Sequence, residues 1–147
     1  MTSDNRYTFS QVVSLLIELE STITKFYAAS AERARRRDLR EIFLTFEKAN
    51  LKRRESLSRV RQGTVIEMSL EPITGLQLEK YELKAKHAME DGNLDDLQKA
   101  IALESITQDL CRGVSDKVAN VSADTSELLS RFSQESLERK HILLSVT

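Results

Sequence analysis

Two stretches of this chain repeat one another, and a chain so built is limited to architectures made of two similar halves. A shift of about 84 residues sets Ile17-Glu18-Leu19-Glu20-Ser21 against Ile101-Ala102-Leu103-Glu104-Ser105. Further on, Glu41, Phe46, Leu51, Arg53, Leu57 and Val60 fall on Glu127, Phe132, Leu137, Arg139, Leu143 and Val146 at one constant offset. Both matches run without internal gaps. By duplication or by convergence on one packing solution, they imply two similar hairpins related by a pseudo-twofold axis.

The hairpins are predicted to be helical. Only four glycines and one proline punctuate 147 residues, too few for the turns of an all-β protein, while Leu, Glu, Arg, Lys and Ala favour helix. Thr8 with Gln11, Asp38 with Glu41, and Asp124 with Glu127 place a capping oxygen three residues ahead of a Glu or Gln, each just before an apolar-periodic run. A fourth start follows Asp91-Gly92-Asn93, where Asp95 and Asp96 suit the positive end of a helix dipole. Four main helices are expected near 9–34, 39–61, 94–119 and 125–145. Short joints at Arg35-Arg36-Arg37 and Asn120 to Asp124 make antiparallel neighbours.

The middle joint, 64–93, is roughly thirty residues long and holds Pro72 and Gly75, far more than a helix hairpin uses. About 12 extended residues cover ~40 Å, the length of a helix of about 23 residues, so the joint is able to run the length of the bundle and leave the second and third main helices parallel. Its second half, Leu76 to Met89, is expected to form a short helix packing Leu78, Tyr81 and Ala85 over one end.

Steps of three and four along each helix trace the predicted core stripes. Polar residues interrupt all four stripes near their middles, and six stand out: Glu20, Asn50, Arg53, Glu104, Ser136 and Arg139. A lone buried charge costs several kcal/mol, so such groups persist only when paired, metal-bound or wet. Two glutamates and two arginines at equivalent depth predict pairing within hairpins, Glu20 with Arg53 and Glu104 with Arg139, since a guanidinium grips a carboxylate through parallel hydrogen bonds. Asn50 and Ser136 are expected to satisfy the remaining lone pairs.

Glu20 with Tyr27 seven residues on, Ile42-Phe43 opening the second helix, the crossover bearing Glu71-Pro72-Ile73-Thr74-Gly75-Leu76, and the half-repeat together resemble the rubrerythrin branch of the ferritin-like superfamily, over essentially the whole chain. The resemblance implies an all-α, ferritin-like four-helix bundle forming a single domain over 1–147. In that family one Glu on each of the first and third helices, and a Glu-x-x-His pair on each of the second and fourth, hold two irons in the core. Glu20 and Glu104 match the single glutamates, but Asn50-x-x-Arg53 and Ser136-x-x-Arg139 stand where the Glu-x-x-His pairs belong. Asn and Ser are poor iron ligands, and a guanidinium has no lone pair to give. Peroxidase or oxidase chemistry is therefore not implied, and two arginines offer protein charge in place of metal charge.

A rival register uses Glu138-x-x-His141 and the near match Glu47-x-x-Asn50. It implies an iron or manganese site from Glu20, Glu47, Glu104, Glu138 and His141, and a rubrerythrin-type oxidoreductase or iron-handling protein. The internal repeat opposes it by pairing His141 with Glu55 and Glu138 with Lys52, and neither Glu47 nor His141 lies on a core stripe.

The remaining features are bland. Lysine plus arginine (22) nearly cancels aspartate plus glutamate (23), so neither a nucleic-acid nor a membrane partner is expected. Arg33, Arg35, Arg36, Arg37 and Arg40 make one basic cluster, read as a solvated turn at a helix C-terminus with no aromatic to stack bases. Cys111 is the single cysteine, placed in the core, and His87 has no evident partner. Polar residues from Met1 to Ser10 suggest no signal peptide, making a cytoplasmic protein the expectation. Leu15, Ile17, Leu19 and Ile23 make the first helix apolar on more than one face, which fits either a homodimer or the crossover lying on it. The expected role is a structural or interaction module without a metal cofactor.

Overall fold

In the computed structural model, which describes residues 6–63 and 72–147, the chain is an all-α bundle of five helices. These are α1 (Phe9–Arg33), α2 (Arg37–Gly63), α3 (Leu78–Glu90), α4 (Asp96–Val118) and α5 (Ala123–Ser145). The main helices agree with the predicted spans to within two residues at each end. The first half of the crossover, 64–71, lies outside the described residues.

Capping chemistry sets the starts. Thr8 and Gln11 form the expected reciprocal box at α1. A second box opens α4, where Asp95 accepts from the Gln98 amide and the Gln98 side chain accepts from the Asp95 amide. The other two starts differ from expectation. Ser122, not Asp124, caps α5 by accepting from the Thr125 amide. Likewise α2 begins at Arg37, one residue before Asp38, whose carboxylate instead accepts from the Leu39 amide and pairs with Arg36.

Side-chain contacts fix the directions. Arg33 at the end of α1 pairs with Asp96 at the start of α4 at 3.0 Å, so these helices are antiparallel. On the opposite side Arg53 bonds Ser136 and Arg139 bonds Asn50, which makes α2 and α5 antiparallel too. It follows that α2 and α4 run parallel, as the long crossover allows. Tyr7 and Ile73 exchange two backbone hydrogen bonds in an isolated bridge beside the start of α1. Gly75 then turns the chain with φ +81°, a conformation that favours glycine, where a Cβ would meet Lys117 at 2.7 Å.

From there α3 climbs along α4 and, more lightly, α1, instead of lying across one end as expected. Leu78 and Ala85 are buried against the bundle and Tyr81 is half-buried. The Tyr7 hydroxyl donates to Glu79 at 2.6 Å and pins the lower end of this helix. Burial, with the Glu79 carboxylate beside it, pushes that phenol up to about 12. On α1, Leu19 is buried, and Leu15 and Ile17 are partly buried against the core.

The core follows the predicted stripes closely. Val13, Leu16, Ile23 and Tyr27 of α1, Phe43, Phe46 and Leu57 of α2, Leu97, Cys111, Val114 and Val118 of α4, and Leu129, Phe132 and Leu143 of α5 are all buried. Leu39, Val60, Ile101 and Val146 are only partly so, because they sit toward helix ends or, for Ile101, one step off the stripe.

Candidate functional site

All six interrupting polar residues are inside, none more than 6% exposed. They form one layer across the middle of the bundle, held between packed aromatic rings: Tyr27 lies against Phe43 and Phe46. The two halves of the layer repeat each other. Arg53 lies over the Phe132 ring and Arg139 over the Phe46 ring, each at 5.1 Å from the centroid, a cation–π arrangement whose members exchange under the sequence repeat.

Within each hairpin the expected ion pair forms, Arg53 with Glu20 at 3.7 Å and Arg139 with Glu104 at 3.3 Å. Across the hairpins the guanidiniums reach one another's helices. Arg53 donates from Nη1 to Ser136 Oγ at 3.1 Å and from Nη2 to the Phe132 carbonyl at 3.1 Å. Arg139 donates from Nη1 to Asn50 Oδ1 at 2.5 Å. Asn50 and Ser136 therefore serve the cations, not the carboxylates as expected. The difference is geometric: a guanidinium spans from its own hairpin to the next, whereas a short Asn or Ser reaches only what comes to it.

Three polar atoms in the layer consequently lack a partner among the described residues: Glu20 Oε1, Glu104 Oε1 and Asn50 Nδ2. Glu104 is the better served glutamate, because the Tyr27 hydroxyl of α1 donates to its Oε2. In the repeat Tyr27 corresponds to Cys111, which has no hydroxyl to offer Glu20. Burial raises the Cys111 thiol to about 12, so it is an inert core group. Burial likewise lifts Tyr27 well above the usual phenol value, with the Glu104 carboxylate adding to the effect.

Glu20 carries the weaker half. Burial pushes its carboxyl above the usual 4.5, Arg53 draws it back only in part, and Glu104 adds to the rise. Burial loosens the Arg53 proton, but the fields of Glu20 and Glu104 outweigh that and hold the group charged. A raised carboxyl binds its proton more tightly in the folded than in the unfolded chain. Its contribution to stability is complete below pH 4.5 and is lost as pH climbs through the folded value. Glu20→Gln removes that titration. Urea denaturation over a pH series should show the variant gaining on the parent above pH 4.5, and two parallel profiles would disprove the assignment.

Glu135, which helical periodicity does not single out, completes the shell around Arg53: its carboxylate accepts from Nε and Nη2 at 3.4 and 3.3 Å while half its side chain faces solvent. The rival ligand residues do not converge. Glu138 and His141 are exposed on α5, and Glu47 lies in the outer furrow between α1 and α2 with Arg40 and Leu44, away from Glu20 and Glu104. Among the described residues no group of three or more His, Cys, Asp or Glu side chains is placed to hold a metal ion.

The basic cluster is occupied with helix ends. Arg40 donates to the Ala34 carbonyl that closes α1, Arg36 to the Val146 carbonyl beyond α5, and Arg37 pairs with Glu41. His87 is exposed on α3. No helix among the described residues is long and apolar enough to cross a membrane. Against known proteins, no family model, no curated protein and no solved structure matches this chain.

Proposed function

We propose that this chain is a ferritin-like bundle of the rubrerythrin-related kind in which paired guanidinium and carboxylate groups take the place of a di-iron site. It serves as a structural or protein-interaction module in the cytoplasm and not as an enzyme. One observation carries the proposal: Arg53 and Arg139, buried at equivalent depth, each pair with the glutamate of their own hairpin and bond the opposite hairpin. The donors at these positions do not suit two irons, since Arg gives no lone pair and Asn and Ser bind iron poorly. The interaction half rests on exposed apolar side chains, Leu44 and Leu51 two turns apart on α2 and Ile142 and Leu144 on α5, which fit a homodimer or another protein partner.

A second reading, a metal-binding oxidoreductase or iron-handling protein, draws support from the uncommitted Glu20 Oε1 and Glu104 Oε1. One measurement separates the two. Elemental analysis of protein purified from iron- and manganese-supplemented cells is expected to find far less than one metal atom per chain; about two, the complement of a carboxylate-bridged site, would overturn the proposal.

A further inference from the structure

The two arginines of the layer differ in what covers their outer edges. Backbone contact is close within each hairpin but sparse between α2 and α5, and the gap is a groove of about 460 Å³. Its walls are related by the sequence repeat: Phe46 and Phe132, Arg53 and Arg139, Ala49 and Glu135 face it as equivalent pairs. Arg53 presents Nε and Nη2 to this groove, and the Glu135 carboxylate takes both. Arg139 uses only Nη1, on Asn50 and Glu104. Its Nε and Nη2 have no protein partner among the described residues and are not sealed off. Where symmetry calls for a second carboxylate, the chain has Ala49.

We propose that the α2–α5 groove binds a small monocarboxylate with an apolar body, its carboxylate taking the Glu135-equivalent place on Nε and Nη2 of Arg139. A guanidinium already desolvated, 6% exposed and backed by the Phe46 ring, holds a carboxylate through two parallel hydrogen bonds with little reorganisation. Lys52 and Arg131 on the same walls offset Glu135 and Glu138, so the draw on a carboxylate comes from the two open guanidinium donors and not from a net charge of the groove. Phe132, Leu128 and Ile142 supply the apolar surface for the body of the ligand. The volume is that of a small-molecule site and goes beyond the structural role proposed above.

Octanoate is the probe, with 1-octanol as its neutral counterpart, followed by calorimetry and by backbone amide shifts at Phe46 and Ala49. The parent should bind one octanoate and not octanol. Ala49→Glu installs the missing internal carboxylate at a half-buried groove position and should weaken octanoate by about tenfold or more while leaving the unfolding midpoint unchanged or raised. Glu135→Ala uncovers Arg53 and should raise the stoichiometry from one site to two. Absence of octanoate binding, equal binding of octanol, or affinity unaltered by Ala49→Glu in a folded protein would each overturn the proposal.

Discussion

Arg139→Ala should destabilise the bundle by about 3–5 kcal/mol, and Arg53→Ala by a similar amount, measured by urea or guanidinium denaturation near neutral pH. Typical domains have about 5–15 kcal/mol in total, so either change removes a large share. The reason is less the attraction lost than the groups stranded. Without Arg139, Glu104 loses the cation nearest it and keeps only the Tyr27 hydroxyl, while Asn50 Oδ1 loses its donor, and both residues are essentially closed to water. Without Arg53, Glu20 loses its ion-pair partner and the Phe132 carbonyl loses its donor. Glu135 alone escapes, because it faces solvent and hydrates. A loss below about 1 kcal/mol for both variants, the range of exposed ion pairs, would show that the layer is wet.

Much of this was legible before any coordinates. Helical periodicity put Glu20, Asn50, Arg53, Glu104, Ser136 and Arg139 on interior stripes because burial in a bundle follows steps of three and four, and all six are buried. Parallel α2 and α4 were expected from chain length, since a joint that long is able to return the chain to the far end. What the sequence withheld were contacts made across hairpins. Periodicity assigns a residue to a face, but it does not say that the Arg139 guanidinium spans to Asn50 on α2 or that the Tyr27 hydroxyl meets Glu104 on α4. Glu135 was invisible for a related reason. It sits half-exposed beside the core stripe, and only the width of the α2–α5 gap makes it a partner of Arg53. The start of α5 differs from expectation because Ser, Thr and Asp crowd 122–126, where several residues offer a capping oxygen and only backbone geometry selects Ser122.

Replacing the whole layer should have the opposite sign from removing one member. With Glu20→Met, Asn50→Leu, Arg53→Met, Glu104→Met, Ser136→Ala, Arg139→Met and Tyr27→Phe combined, the bundle is expected to be as stable as the parent or more so, by up to about 1–4 kcal/mol. Burying two guanidiniums and two carboxylates costs several kcal/mol per ion, and the recovered attraction is incomplete here. Glu20 stands 3.7 Å from Arg53, and one oxygen of each glutamate has no partner among the described residues. An apolar layer carries neither deficit. What the charges supply instead is register: Arg53 to Ser136 and Arg139 to Asn50 bond only when α2 and α5 are aligned at one height, whereas methionines pack acceptably at several. The replaced bundle should therefore unfold at equal or higher denaturant but with a shallower transition and poorer amide dispersion. If it proves less stable than the parent by more than about 2 kcal/mol while still folding, the ions contribute net stability and the account of the layer as a register device fails.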